Sequence, residues 1–344
     1  MDADLASLSA TVQRNCHISD ARHARGYTLC TYLLKMREYY RWEQGYPFNA
    51  PLPKDELGDW ITGREGLWEA LEEDSFEPIR LEQGAVDPFE TTAINRELTA
   101  KGLVYSGGYG NHAAPHFFLA DLVRSEQRHG LPVLIAGREH ARDMTAPPAM
   151  LLDGTLFIRR ESMRRLLWEK IEEWRWKKHQ DAMARAMSCY DFDADFDLAL
   201  ERMTDNEVES ALLHEVGEWR AEAHLGEDWP ALLLAVSGSR GEIVARAVRD
   251  HLADCVSTLP TLLEQENVAG LHFYFANLKG MRRELFPELS EAYQRWVEGD
   301  QLQALRTQVQ QGAQRWLETA HHLIGLHHDD PDVCATEIGR LYEK

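Results

Sequence analysis

Apolar positions recur at helical spacing over most of the chain and shift to a shorter period only in its middle. Asp4 to Arg14 is a short amphipathic candidate. Ser19 and Asp20 offer N-caps to a long helix reaching about Trp42, along which Tyr27, Leu29, Cys30, Leu33, Leu34 and Tyr40 recur near helical intervals. Gly45, Pro47, Pro51 and Pro53 mark a loop. Asp55 to Leu71 reads as a helix with Trp60, Leu67, Trp68 and Leu71 turned inward, and Asp87-Pro88 opens another that ends near Gly102.

The middle changes character. Leu103 to Ser106 is a short apolar run, followed by a turn at Gly107-Gly108-Tyr109-Gly110-Asn111. His116 to Glu126 and Leu131 to Ala136 read as strands around His129-Gly130. Thr155 to Arg160 is a further strand after Asp153-Gly154. A long helix from Glu161 to about Met187 carries Met163, Leu167, Ile171 and Trp174 on one stripe. Helical segments then follow near 205–224, 228–237, 240–256, 268–284, 287–298, 300–325 and 331–343, with Pro260 and Pro287 the clearest stops. The pattern predicts a mostly helical α+β protein: N- and C-terminal helical regions around a small antiparallel β-containing insert. The expected regions are 1–102, 103–190 and 191–344.

Charge refines this division. The 344 residues hold 37 Lys+Arg against 57 Asp+Glu, a net charge of −20. The three regions carry −8 (residues 1–100), +4 (101–190) and −16 (191–344), so a basic island lies between acidic stretches. The overall sign argues against nucleic acid as a partner. The basic residues from Arg159 to Arg185 are interleaved with Trp168, Trp174 and Trp176. They read as a face for charge-matched docking, within the molecule, in a homo-oligomer or on a protein partner. No membrane span is expected: the longest apolar run, Ala231 to Val236, is about a third of the ~18 residues needed. The N-terminus lacks the form of a secretory signal, and the five scattered cysteines form no C-x-x-C. Both features point to the cytoplasm.

The sharpest chemical motif is His214-Glu215-Val216-Gly217-Glu218, continuing to His224. His214 and Glu218 share a helical face and can reach one ion, and Glu215 lies beside them as a candidate catalytic base. The eleven residues resemble the zinc-binding helix of the metzincin metalloproteases, HExxHxxGxxH, with two departures. Glu218 replaces the second His, and Ala221 replaces the Gly at which that helix stops. Without the stop, His224 lies ~15 Å along the axis from His214 and cannot share its ion.

Helical bundles also build di-metal sites from Glu-x-x-His pairs. Glu126-x-x-His129 and Glu318-x-x-His321 match at the frequency expected by chance, but a site drawn from His17, Asp20, Glu38, His214, Glu215, Glu218 and His272 remains open. The candidate ligands are therefore His214, Glu218, His17, Glu38 and His272, for divalent Fe, Mn or Zn. The pairs His321-His322 and His327-His328 read as a solvated helix end. Asp191, Asp193, Asp195 and Asp197 fail the calcium-loop pattern, with Phe196 and Arg202 where Gly and Glu are required, and read as an acidic linker. The glycine turn lacks Gly-Lys-Ser/Thr, so no nucleotide is expected. Arg138, His140, Arg142 and Asp143 with Asn111 form a weaker anion-pocket candidate.

The stretches Asn15 to Arg22, Leu33 to Glu43, Gly137 to Asp143 and His214 to Glu218 resemble a family of proteobacterial proteins of unknown function. That resemblance implies a bacterial, cytoplasmic protein and transfers no catalytic residue. The function expected is metal binding, as a non-haem metal-dependent oxidase or hydrolase. The alternative is a non-catalytic assembly or adaptor protein.

Overall fold

Among the described residues Thr28, Asp181, Asp195, Ser239 and Asn267 start helices by accepting backbone N–H groups on their side chains. The computed structural model describes residues 3–110, 114–177, 179–331 and 333–341. The chain forms two compact units, Met1–Glu169 and Lys170–Lys344. The first holds α1 (Ala3–His23), α2 (Leu29–Glu43), α3 (Lys54–Leu71), the hairpin β1 (Ile79–Leu81) and β2 (Gly84–Val86), α4 (Thr91–Leu98), β3 (Leu103–Tyr109), β4 (Pro115–Arg128), β5 (Leu131–Arg142), β6 (Ala149–Leu152) and β7 (Thr155–Arg159). The division falls within α5 (Arg160–Lys177).

The expected cap at Ser19-Asp20 is interior to α1, because both side chains serve tertiary contacts. Ser19 Oγ donates to Pro115 O, and Asp20 accepts the Met144 N–H at 3.0 Å. Thr28 caps α2 instead, accepting from Thr31 N.

The main sheet runs β3-β4-β5-β7-β6, antiparallel except for the parallel pair β5 and β7. Two tight hairpins use adjacent left-handed residues, His129 (φ 52) with Gly130 (φ 85) and Asp153 (φ 48) with Gly154 (φ 69). Gly107 and Gly108 continue β3 rather than turning. A Cβ at Gly107 would lie 2.1 Å from Pro88 O, so the glycine admits the neighbouring backbone. Asn111 and His112 lie outside the described residues.

The sheet shares its core with the first helices. Val12 and Cys16 of α1 pack with Ile94, Tyr105, Phe117 and Leu119, while Phe118, Ala120, Leu134 and Phe157 fill the opposite face. The strands thus pack with residues 1–102, so no division falls at 102; it falls between Glu169 and Lys170 rather than at 190.

The second unit is helical among its described residues. It contains α6 (Ala182–Ser188), α7 (Phe196–Leu225), α8 (Asp228–Ala235), α9 (Arg240–Ala253), a π-helical turn (Asp254–Thr258), α10 (Leu259–Glu264), α11 (Val268–Asn277), α12 (Gly280–Leu285), α13 (Pro287–Val297), α14 (Gln303–Asp329) and α15 (Cys334–Arg340). Asp195, in the acidic stretch read as a linker, caps α7 by accepting from Leu198 N. Pro260 occupies the first turn of α10, where its missing N–H costs nothing, so the chain continues through it. Trp229, Val248, Leu252, Leu271, Phe286 and Trp316 form the centre of the core.

The basic run is largely engaged at home. Arg159 donates to Glu139 at 2.8 Å, Arg165 donates to the carbonyls of Thr145 and Ala146, and Arg164 lies over the Phe48 ring. Arg175 pairs with Glu172 at 2.9 Å. Lys178 lies outside the described residues. Among the described residues no helix is long and apolar enough to cross a membrane.

One backbone approach organises the second unit. A Cβ at Gly217 of α7 would lie 2.4 Å from the Ala253 carbonyl oxygen at the end of α9. Gly217→Ala is expected to destabilise the protein by about 1–3 kcal/mol in urea unfolding. Gly325→Ala on α14, where a Cβ meets nothing within 4 Å, is expected to be neutral or stabilising by up to about 1 kcal/mol. Equal effects at the two glycines would contradict the close approach.

Candidate functional site

The spacing of His214 and Glu218 puts both on the side of α7 that faces α9 and the π-helical turn. His214 Nε2 lies 3.4 Å from Glu218 Oε1, and Asp250 of α9 completes the group. One ligand atom from each of His214, Glu218 and Asp250 lies within 4.8 Å of the others. This is the group of three or more such side chains found among the described residues. The three are partly exposed, so an ion in solution can reach them.

Behind them lies Asp254, the first residue of the π-helical turn and only 1% exposed. Its Oδ1 accepts from His214 Nδ1 at 2.8 Å, and its Oδ2 accepts from Tyr274 OH at 2.9 Å and from Arg282. His251 is buried and stacks on Trp316 at 4.8 Å. Its Nε2 donates to the Arg282 backbone carbonyl at 2.7 Å, which ties α12 to α9. Ser257 Oγ donates to Leu213 O at 2.7 Å, and Arg220 donates to Val256 O at 2.8 Å, so the turn is pinned along α7. π-Turns of this kind recur at functional sites because the widened ring re-aims side chains.

The electrostatics are those of a crowded ion cluster. Burial alone would lower the His214 imidazolium, but the Asp254 carboxylate overrides it and holds it well above its usual range. Burial would raise Asp254, and Arg282 and His214 hold it far below the usual carboxylate range. Glu218, which burial would likewise raise, is lowered by His214 and Arg249. Arg249 Nη2 donates to Glu218 Oε1 at 2.7 Å and to Asp250 Oδ1 at 3.4 Å. Its other nitrogen lies 3.9 Å from Glu222, which is half exposed. Burial and the Glu218 charge push Glu215 up to about 7, so it exchanges a proton near neutral pH.

The structure therefore joins His214 and Glu218, with Glu215 adjacent in the chain, and it adds Asp250 and Asp254. These two are four residues apart on the neighbouring helix, the same i,i+4 signal, but a search for histidine ligands passes over a carboxylate pair. The other candidates do not join the group. His17, in the first unit, has its ring nitrogens within 3.1 Å of Arg64 Nη1, and burial with that guanidinium pushes it down to about 3. Glu38, also in the first unit, is buried against Arg41 at 3.2 Å. His272 meets Tyr293 OH at 2.9 Å and stacks on Trp296 at 4.9 Å. The likeness to the metzincin zinc helix ends at Ala221. Helix α7 runs on unbroken to Leu225 and carries His224 away from His214. The anion-pocket residues are likewise used internally, His140 on Asp121 at 2.7 Å and Asp143 on the N–H groups of Phe117 and Ala146.

Two stretches of the chain match a described pair of domains. Residues 7–159 match the N-terminal domain, and residues 164–344 the C-terminal domain, of a family of unknown function (DUF6866). The chain belongs to this family. No curated protein and no solved structure matches it.

Glu207, earlier on α7, offers an independent check of burial along this helix. It is 2% exposed, accepts from Asn206 Nδ2 at 2.9 Å, and is pushed up to about 8 by burial. Between the ordinary value of about 4.3 and about 8, the unfolded chain is ionised there while the folded chain keeps its proton. Its contribution to stability therefore falls as pH rises through that window. Glu207→Gln is expected to raise Tm more at about pH 8 than at about pH 5. An equal Tm change at both values would contradict this.

Proposed function

We propose that the protein binds one divalent transition-metal ion through His214 Nε2, Glu218 and Asp250. The observation that carries the reading is the Asp254–His214 hydrogen bond. A buried carboxylate that holds Nδ1–H leaves Nε2 facing the other two ligands, the orientation that metal-binding histidines commonly have. Fe, Mn and Zn suit a His-carboxylate set, and three protein ligands leave positions for water or substrate. Ligand atoms around such an ion stand about 3–3.5 Å apart, so binding contracts the group by about an ångström.

Arg249 now neutralises Glu218 and Asp250, and an ion takes over that task. The guanidinium has Glu222 beside it as a second partner. The imidazolium proton of His214 is released as the ion binds. In this reading the ion would supply the Lewis-acid chemistry of a metal-dependent hydrolase or oxidase, and Glu215 would be the base that accepts a proton beside it. Cys16, Cys30, Cys189 and Cys255 are free thiols, which fits the proposed setting in a bacterial cytoplasm.

Calorimetric titration of the full chain with Zn, Mn and Fe(II) tests this. The expected result is about one equivalent bound, with proton release. His214→Ala should abolish binding, and Asp254→Asn should weaken it about 10–100-fold while leaving the ligands in place. Arg249→Gln should tighten binding, because the competing cation is removed. Binding that His214→Ala leaves unchanged would locate any metal elsewhere, such as the His321 to His328 surface. That outcome, or no binding at all, would make the cluster a purely structural ion-pair network.

A further inference from the structure

The first unit contains a second feature that its core packing does not explain. A cavity of about 580 Å³ opens beside α1, between the start of β4 and the segment running from Met144 to β6. This is the size of a site for a small organic ligand. Its wall is mainly apolar, with Tyr27, Tyr109, Met144, Met150 and Leu152.

Two polar side chains in this wall are unusual. Asp20 is 4% exposed and accepts one N–H, from Met144. Among the described residues no cation lies within ion-pair distance of it; Lys35 and Arg64 act on it through space. Asp143 behind it is also buried, accepts the N–H groups of Phe117 and Ala146, and adds a like charge. Burial and this neighbour push the Asp20 carboxyl well up. The second residue is His116, 6% exposed, with Nδ1 buried and without a hydrogen-bond partner. Its ring lies beside Gly108 and Gly110, where a Cβ would stand 3.4 and 3.7 Å from it, in ordinary contact.

A buried carboxylate with no counter-cation is costly, and a cation bound beside it removes that cost. Among the described residues no lysine or arginine lines the cavity; its basic side chains are His23 and His116, and burial holds His116 below the usual imidazole range, so the wall favours a cationic ligand over an anionic one. Neither Asp20 nor His116 belongs to a group of three possible metal ligands among the described residues, so the ammonium of an organic molecule fits better than a metal ion. The tyrosine rings and methionines suit its apolar body, and aromatic faces attract cations.

We propose that this cavity binds a small organic amine in its ammonium form, with the ammonium on Asp20 and the apolar body against Tyr27, Met144 and Met150. The proposal is independent of the metal reading, since every residue it uses lies in the first unit.

Benzylamine, benzyl alcohol and benzoate share one ring and differ in charge. Their binding to the full chain is measured at neutral pH by calorimetry and saturation-transfer NMR. Benzylamine is expected to bind saturably in the millimolar range or tighter, at least about tenfold better than benzyl alcohol, with benzoate not binding. Asp20→Asn keeps an acceptor for the Met144 N–H but removes the charge, and should cost about tenfold or more in benzylamine affinity. Ala149→Trp fills the cavity from its wall and should abolish binding. Circular dichroism melts show whether each variant is folded, and the two act by unrelated means, so one folded variant suffices. Equal affinity for amine and alcohol, preference for benzoate, absence of saturable binding, or unchanged affinity in a folded variant would overturn the proposal.

Discussion

At Gly217 helix α7 meets the end of α9 with no side chain between them, and the chemistry of the second unit follows from that. Because residue 217 is glycine, the carbonyl of Ala253 lies where a Cβ would otherwise stand. The next residue, Asp254, is thereby carried under His214, three positions before the glycine. From that approach the π-helical turn is laid along α7 and fastened by Ser257 and Arg220, and Asp250 is placed opposite Glu218. The charges are therefore positioned by backbone packing rather than by their own attraction. This is what a cluster needs if it is to exchange one cation for another without losing its shape.

The first unit handles buried charge differently. Glu139 is met by Arg159 and Ser162, both fully buried, so its charge is countered by side chains. Among the described residues Asp20 and Asp143 accept hydrogen bonds from backbone N–H groups, and Arg64, Lys35 and Arg159 act on them through space without an ion-pair contact. Hydrogen bonds from neutral donors orient a carboxylate but supply no net positive charge, so the two acids leave an electrostatic deficit on one side of the unit. The cavity lies on that side.

The sequence made the fold class legible because its signals are local. Helical periodicity, the His-Gly and Asp-Gly turn pairs and capping residues depend on near neighbours, and the structure follows them in α3, α9 and both hairpins. Contacts across the chain were not legible. Ser19 and Asp20 look like caps until Pro115 and Met144 arrive as partners. Gly107-Gly108 looks like a turn until Pro88 crosses it. At the candidate site, the i,i+4 spacing brought out His214 and Glu218, and the same spacing in Asp250 and Asp254 carried no histidine to draw attention. His17, Glu38 and His272 have the right chemistry for ligands, yet an arginine or an aromatic ring engages each of them. Side-chain type alone does not reveal such a neighbour.

The π-helical turn at Asp254–Thr258 has a consequence for how the sequence can change. A turn of this kind holds one residue more than the α-helix it interrupts. It behaves as an insertion that the fold has absorbed, and its removal would not be silent. Deleting one residue there would restore regular winding and leave Leu259, Leu262 and Leu263 in register with the core. The loss would fall on the turn itself, where Asp254 reaches His214 and Ser257 reaches the Leu213 carbonyl. Length in this segment therefore governs the candidate site more than the packing beyond it.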